Sequence, residues 1–321
     1  MKQRNKIDKN YFPGFTRKSI TMSMDDGNVR CDRKLIDIMR PAGFKGTFNL
    51  CYLDSLTPEE YRELYCGFEI ANHCKHHPMA FADGREYVIS DEALDPLTSK
   101  GYSEQEPFVY KTDVDGLYKF HPYASIEKPA GWWPVASTEK YIELIDETKI
   151  MLEDVFGEGS VGAFIWPSGR QNNKAILKHL RESGYYSVRN SGVTMGADGF
   201  SMPDDRYSWS CTAREGNLLD IMALYEALPD DGELKFFCLG LHSHDYEGQN
   251  KWDDLRRFAD TLGNRPEDYY YGSNREIFEH EDAVKRIEIT ESEITNPSSV
   301  SVYLTVDGER VVIAPKSSLI L

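Results

Sequence analysis

Two clusters in the sequence carry side chains that could hold a divalent metal ion. Asp25 and Asp26 are adjacent, and a histidine-rich segment contains His73, His76 and His77. Histidines three or four positions apart share one face of a helical turn, so His73 could bind one ion together with either His77 or His76. The carboxylate of Asp26 would complete a set of two imidazoles and one carboxylate. Three protein ligands leave a coordination position open for water, which is typical of a catalytic metal site.

Neighbouring residues could supply acid and base catalysis. Successive residues of a strand point to opposite faces, but Gly27 permits the strand to end, so both carboxylates can reach one site. One carboxylate could then bind the metal while the other accepts a proton from water. His242 follows an apolar segment and could protonate a leaving group, with His244 as the alternative. A thiol nucleophile at Cys74 is disfavoured because no activating group is evident. The pattern predicts hydrolysis.

These residues follow short apolar segments that end in polar or turn-forming residues. The segments are 19–24, 46–50, 67–71, 161–165, 185–188 (followed by Arg189 and Asn190) and 236–241. Each is typical of a buried parallel strand. Helical patterns lie between them at 57–65, 138–156, 172–183 and 252–262, and Asp32 is the expected N-cap of an earlier helix. The alternation predicts an α/β fold whose strand ends gather the Asp and His side chains.

Two regions depart from this alternation. The segment 79–135 is rich in Gly, Pro, Tyr and acidic residues, with Trp132 and Trp133 near its end, and we interpret it as a long insertion or lid. Apolar residues alternate on both sides of an Asp-Gly pair within 287–321, which predicts a β-hairpin. The sequence therefore predicts a catalytic domain at 1–286 followed by a small β-rich C-terminal extension.

Composition limits the partners that this chain can have. The 321 residues carry a formal net charge of −16, which repels nucleic-acid phosphates and anionic lipids, so neither is an expected partner. No segment approaches the ~18 apolar residues that a membrane-spanning helix needs. No signal peptide is visible, so we expect a cytoplasmic protein, with export of a longer precursor left open. The six cysteines lack paired spacing, and we expect reduced thiols.

Four motifs, in this order, resemble the polysaccharide deacetylase family of the NodB-homology, carbohydrate esterase family 4 type. The segment 20–27, ITMSMDDG, is similar to a family strand that ends in (T/S)FDDG, and 44–48 resembles its ATFF strand. The segment 68–78 resembles the EIGNH motif with its HxxxH pair, and 239–242 resembles the final LxLH motif. The resemblance covers most of 18–279 and implies a distorted (β/α)7 barrel.

The resemblance also implies a role for each matched residue. A divalent metal, most often zinc, would have the ligands Asp26, His73 and His77. The family spacing of four favours this choice over His76. Asp25 would be the general base and His242 the general acid. Leu239 or Leu241 would line the pocket for the acetyl methyl group.

Two further family motifs, counted as the third and fourth of the family, would lie between 68–78 and 239–242 and are incomplete here. The third normally contains an arginine that braces the catalytic aspartate, but the matched stretch, IWPSG, lacks it, and Arg170 or Arg206 could replace it. The backbone N–H of Ser168 would still serve as an oxyanion donor. The fourth motif, an acidic residue near a tryptophan, has a loose counterpart in 204–205 with Trp209. The weaker candidates for substrate contacts are Trp166, Pro167, Arg170, Trp209, Leu239 and Leu241.

Together these features predict a metal-dependent deacetylase that hydrolyses N-acetyl groups of an amino-sugar-containing oligo- or polysaccharide. An O-acetyl esterase or an amidohydrolase of non-peptide C–N bonds that uses the same metal site is the alternative, because the missing arginine leaves room for another scissile bond. A catalytically decayed carbohydrate-binding protein is a further alternative, which the intact Asp and His residues argue against. The expected partner is an acetylated carbohydrate.

Overall fold

Parallel strands alternate with helices along most of the chain. The computed structural model describes residues 6–83, 87–90, 108–120, 133–168, 173–193 and 197–321. The strands are β1 (Ile7–Tyr11), β2 (Lys18–Asp26), β3 (Thr47–Leu50), β4 (Glu69–Asn72), β5 (Met79–Ala80), β6 (Val88–Ser90), β7 (Phe108–Lys111), β8 (Leu117–Phe120), β9 (Trp133–Ala136), β10 (Ala163–Ile165), β11 (Ser187–Val193), β12 (Trp209–Cys211), β13 (Lys235–His242), β14 (Tyr269–Tyr271), β15 (Glu288–Ile289), β16 (Glu293–Asn296), β17 (Val302–Val306), β18 (Glu309–Ile313) and β19 (Ser317–Ile320). The helices are α1 (Val29–Met39), α2 (Pro58–Leu64), α3 (Thr138–Phe156), α4 (Lys174–Glu182), α5 (Leu218–Glu226), α6 (Ser243–Gly248), α7 (Trp252–Leu262) and α8 (Asn274–Arg286).

Seven of these strands form a nearly closed barrel. Their order is β12-β11-β10-β4-β3-β2-β13, and each pairing is parallel. The two ends of the sheet meet just beyond β12. There Thr212 donates its backbone N–H to the Cys238 carbonyl at 2.8 Å, and Gly240 donates to the Ala213 carbonyl at 2.9 Å. β14 adds to the sheet by pairing with the first residues of β2. The predicted distorted (β/α)7 barrel is confirmed.

Alternate residues of β2 face two different environments. Its apolar residues, which pack in the large core together with the outer helices, are Ile20, Met22 and Met24. The residues between them are polar and buried. Ser23 accepts a hydrogen bond at 3.0 Å from Arg189 of β11, a strand on the far side of the barrel. Because successive side chains of a strand point to opposite faces, β2 carries its polar series, ending with Asp25, into the barrel interior.

Helix α8 closes the end of the barrel where the strands begin. Phe278 packs against Trp209 and Phe236, with ring centroids 5.3 and 5.7 Å away. The buried carboxylate of Glu69 accepts the backbone N–H of Arg275 at 3.0 Å, a favourable place for an anion at a helix N-terminus. The expectation that Trp209 contacts the substrate is wrong, because these aromatic side chains cover it in the core.

Helix boundaries agree in part with the sequence patterns. α3 and α7 have the predicted bounds, and Thr57 caps α2 as part of a capping box. The expectation that Asp32 caps α1 is wrong. Asn28 caps this helix instead, because its side chain accepts a first-turn N–H at 3.1 Å. Asp32 is buried within α1, where it accepts hydrogen bonds from the hydroxyls of Tyr65 and Ser243.

The insertion and the C-terminal extension form additional sheets. In the described part of the insertion, strands pair in the order β5-β9-β8-β7-β6. Trp132 and the side chain of Trp133 lie outside the described residues. The predicted hairpin forms between β17 and β18, with a left-handed turn at Asp307 and Gly308, and β1 pairs with β17. The domain boundary at residue 286 stays a prediction. Among the described helices, none has the length and apolar character to cross a bilayer.

We expect Gly240→Ala to destabilise the closure of the barrel. A Cβ at this position would lie 2.0 Å from Sγ and 2.5 Å from Cβ of Cys211, so the two strands would have to separate. Overpacking of this kind costs about 1–3 kcal/mol, which urea unfolding followed by circular dichroism would measure. Gly216→Ala is the control, because its Cβ would meet no atom within 4 Å. Equal stability of the two variants would contradict the expectation.

Candidate active site

Asp25 and Asp26 end β2 at the carboxyl end of the barrel, where the backbone turns sharply. Asp25 is 1% exposed and is the last inward-facing residue of the strand. Asp26 and Gly27 have φ values of +75° and +74°, in the left-handed region that a residue with a side chain rarely adopts. A Cβ on Gly27 would also lie 2.8 Å from Cδ2 of Leu50. This turn presents the Asp26 carboxylate at the same end of the barrel as Asp25.

A tight turn, rather than the expected helical turn, brings His73 and His77 together. Cys74, His76 and His77 have φ values of 55°, 66° and 47°, and the His77 N–H donates to the Cys74 carbonyl at 3.0 Å. His76 lies outside the group, since its Nδ1 is 3.2 Å from the Tyr52 hydroxyl. Burial raises the pKa of the Cys74 thiol, which disfavours the thiolate that a nucleophile needs.

Three side-chain atoms converge with the spacing of metal ligands. His73 Nδ1 lies 3.0 Å from the Ile165 carbonyl; donation to this oxygen leaves a lone pair on Nε2. Asp26 Oδ1 is 3.4 Å from Nε2 of His73 and 3.5 Å from Nε2 of His77. Zinc–ligand bonds of about 2.1 Å at tetrahedral angles separate ligand atoms by ~3.4 Å, so these residues fit a zinc-sized ion. Asp26 Oδ1 and His73 Nε2 are also buried without hydrogen-bond partners, and a cation would satisfy both.

The electrostatics of this group favour the protonation states that bind a cation. Burial by itself would raise the pKa of Asp26. The positive charges of His73, His242 and His77 outweigh burial and hold this pKa well below its usual range. Burial lowers the pKa of His77. At neutral pH Asp26 is therefore an anion and His77 a neutral imidazole, which are the ligand forms of these side chains.

A buried ion pair holds the Asp25 carboxylate. Arg189 is 1% exposed and donates from Nη2 to Asp25 Oδ1. Asn49 donates to the same oxygen at 2.7 Å. The Ser23 hydroxyl accepts from both donors, at 3.0 Å from Asn49 Nδ2 and 3.0 Å from Arg189 Nε. Asp25 Oδ2 is buried and has no partner. One carboxylate oxygen is therefore fixed, and the other is free to accept a proton.

Arg189 occupies the bracing position for which the sequence offered Arg170 and Arg206. Arg206 lies elsewhere, because its guanidinium pairs with two carboxylates of α8, each at 2.7 Å. Arg170 lies outside the described residues. A signal for Arg189 was present in the sequence: it directly follows the apolar segment 185–188, and strand ends are where this architecture places functional side chains.

His242 ends β13 and faces the two carboxylates. Its Nδ1 is 2.8 Å from Oδ2 of Asp245, and its Nε2 is 3.6 Å from Oδ2 of Asp26. Burial lowers the pKa of His242, but the charges of Asp25 and Asp26 and the hydrogen bond to Asp245 raise it by more. Sequence reasoning missed Asp245, although its position three residues after His242 allows contact in a first helical turn. His242 can therefore carry a proton on Nε2 towards the site.

The other residues singled out in the sequence lie beside this centre or in the core. Ser168 follows β10 with a φ of +58° and a buried hydroxyl without a partner, and its role as an oxyanion donor stays a prediction. Trp166 and Leu239 are 1% and 0% exposed and pack in the core between the barrel and its helices, so neither offers a surface to substrate. Pro167 is buried as well. The side chain of Leu241 lies outside the described residues.

Comparisons with known proteins agree with this architecture. A family model described as polysaccharide deacetylase matches residues 13–188, more than half of the chain. No curated protein sequence matches significantly. A putative polysaccharide deacetylase from Mycobacterium smegmatis has the same fold, with 14% identity and a TM-score of 0.51 over 88% of this chain and 96% of that chain.

Two further solved structures are similar at lower TM-scores. The peptidoglycan deacetylase PdaC from Bacillus subtilis is 16% identical, with a TM-score of 0.42 over 84% of this chain and 92% of that chain. A family 4 acetyl xylan esterase from Clostridium thermocellum, solved with a cobalt ion, is 13% identical, with a TM-score of 0.42 over 81% of this chain and 89% of that chain.

Arg189→Met should destabilise the fold strongly, because it leaves the Asp25 carboxylate in the barrel without its cation. Removing one partner of a buried ion pair costs about 3–5 kcal/mol. Adding Asp25→Asn should recover much of this loss, since no unpaired charge then remains. Urea unfolding of the wild type, both single variants and the double variant measures the coupling. Stability losses that simply add would show that the two side chains do not act as a pair.

Proposed function

The chain belongs to the polysaccharide deacetylase family, and we propose that it is a metal-dependent hydrolase that removes N-acetyl groups from an amino-sugar-containing oligo- or polysaccharide. The observation that supports this best is the set of buried, unpartnered atoms at the carboxyl end of the barrel: Asp25 Oδ2, Asp26 Oδ1 and His73 Nε2. Each is a proton acceptor or a cation ligand. Buried polar atoms without partners are costly, and a functional site is a physical reason for retaining them.

Asp26, His73 and His77 would hold the metal. We propose zinc, because two imidazoles, one carboxylate and their spacing suit it. When bound, such an ion supplies Lewis acidity that polarises an acetyl carbonyl and lowers the pKa of water. The hydrogen bond from Nδ1 of His73 to the Ile165 carbonyl would keep the ring in the orientation and tautomer that metal binding requires.

Asp25 would act as the general base through Oδ2. Arg189 and Asn49 occupy Oδ1, so the carboxylate cannot rotate and always presents the same oxygen. This oxygen would accept a proton from the attacking water while the oxygen of that water bonds to the acetyl carbon. The backbone N–H of Ser168 would donate to the oxyanion that forms.

His242 would act as the general acid through Nε2. It would transfer its proton to the nitrogen as the C–N bond breaks, which releases acetate and a free amino group. An amide nitrogen is a poor leaving group unless it is protonated. The raised pKa of His242 keeps the imidazole charged to higher pH, which suits donation of a proton to this nitrogen.

Asp25→Asn should retain the bound metal and lower acetate release from N-acetylated chitooligosaccharides by ~100-fold or more. The amide keeps the shape of the carboxylate but cannot accept the proton from water. Metal content by mass spectrometry and an enzymatic acetate assay measure the two properties separately.

His77→Ala is the matched control, since it should lose the metal held by Asp26 and His73 together with the activity. Retained turnover by Asp25→Asn would rule out Asp25 as the base. Faster acetate release from acetylated xylan than from chitooligosaccharides would favour the O-acetyl esterase alternative. Binding of glycan without acetate release from either substrate would favour a carbohydrate-binding protein.

Asp245→Asn should move the alkaline limb of the pH–rate profile to lower pH. The hydrogen bond to Asp245 and its negative charge both raise the pKa of His242. Without them the imidazole loses its proton at a lower pH, and the acid is lost earlier as pH rises. Measuring kcat/KM against pH tests this, with Asp253→Asn as a control at a side chain that is 94% exposed. An unmoved alkaline limb would argue against an Asp245–His242 unit.

A further inference from the structure

A second cluster of potential metal ligands lies where β13 meets α6. His242, His244 and Asp245 each place a ligand atom within 4.8 Å of the others. The mechanism above uses His242 and Asp245 but leaves His244 without a role. Nδ1 of His244 is buried and has no hydrogen-bond partner. Its ring stacks on that of His242, with centroids 4.8 Å apart and planes at 25°.

The unpartnered nitrogen of His244 points to a ligand. A buried polar atom that has lost water without gaining a protein partner is unfavourable, and a bound cation would offset that cost. Two imidazole nitrogens and one carboxylate oxygen are donors that zinc prefers.

The surroundings of this cluster favour entry of a cation. The whole chain carries a formal net charge of −16, which attracts cations. The side chains of His242 and Asp245 are 30% and 31% exposed, so an ion can reach them from solvent without opening the barrel.

We propose that His242, His244 and Asp245 form a second, weaker zinc site that inhibits the enzyme. The inhibition rests on the proposed function, in which His242 is the general acid. Binding would break the Nδ1–H bond of His242, release that proton to solvent and form a zinc–nitrogen bond in its place. The neutral, zinc-bound ring would keep its proton on Nε2, but giving up this proton would leave an imidazolate, so the ring would be a far weaker acid towards the leaving group than the imidazolium is.

Geometry explains why this site is weaker than the one on Asp26. His242 Nδ1 and Asp245 Oδ2 are 2.8 Å apart, closer than the ~3.4 Å between ligands of a tetrahedral zinc ion. Zinc must therefore separate the two atoms and replace a charge-assisted hydrogen bond. We expect this site to fill only after the first equivalent of zinc has bound.

Equilibrium dialysis of the metal-free protein against increasing zinc tests the site independently of activity. The wild type should bind two equivalents. His244→Phe keeps an aromatic ring against His242 but lacks a ligand nitrogen, so it should bind only the tighter equivalent, and His244→Gln should do the same. His77→Ala should bind only the weaker one. A single equivalent in the wild type, or two in both His244 variants, would overturn the proposal.

Acetate release from chitooligosaccharides then tests the inhibition. Wild-type activity should fall by about 100-fold as the second equivalent binds, as expected when an acid–base group is lost. At both zinc concentrations His244→Phe should keep the activity that the wild type has with one equivalent bound. Equal inhibition of the two proteins would overturn the inhibitory role. Two equivalents with the expected losses in the variants, but no acetate release at one equivalent, would contradict the proposed function and leave the second site standing.

Discussion

The interior of the barrel is organised by the buried ion pair between Asp25 and Arg189. Three strands separate β2 from β11 in the sheet, so the pair crosses the barrel and joins opposite walls. Proteins in which apolar side chains replace a buried ion pair are often equally stable, so stability alone does not account for the charged pair of Asp25 and Arg189. The geometry does: Arg189, Asn49 and Ser23 hold one oxygen of Asp25 and leave the other without a partner. The network thus fixes which oxygen of Asp25 is left without a hydrogen bond.

Backbone strain concentrates around the same centre. Among the described residues other than glycine, those beside the site with left-handed φ are Asp26, Cys74, His76, His77 and Ser168. Each such residue costs about 1–2 kcal/mol, and such strain persists only where surrounding structure enforces it. Hydrogen bonds do so here: Cys74 N–H donates to Asn72 Oδ1 at 2.9 Å, and Lys75 N–H donates to Thr148 Oγ1 at 2.8 Å. The turn that carries both histidines is therefore anchored to a strand and a helix, which restricts the distance between His73 and His77.

Continuous apolar segments predicted an α/β fold with buried parallel strands. The family resemblance implied the (β/α)7 barrel and identified which strand ends matter. It could not predict Arg189 as the partner of Asp25, because the contact depends on strand order and on which face each strand turns inward. Strand β12, which completes the barrel, has three residues, too few for a recognisable pattern. Leu239 was misjudged for a related reason: it lies within a matched motif, but strand alternation turns it into the core. The roles of the site residues stay predictions.

The pairing of β1 with β17 has a consequence for how the chain is made. Ile7 lies opposite Val306, and Tyr11 lies opposite Tyr303. During translation β1 is therefore synthesised long before β17, and it has no partner strand while the barrel is being made. Contacts between such distant segments form slowly, and open edges invite association between nascent chains. The polar residues Asp8, Lys9 and Asn10 in β1 make this unpaired segment less prone to form a sheet with other chains.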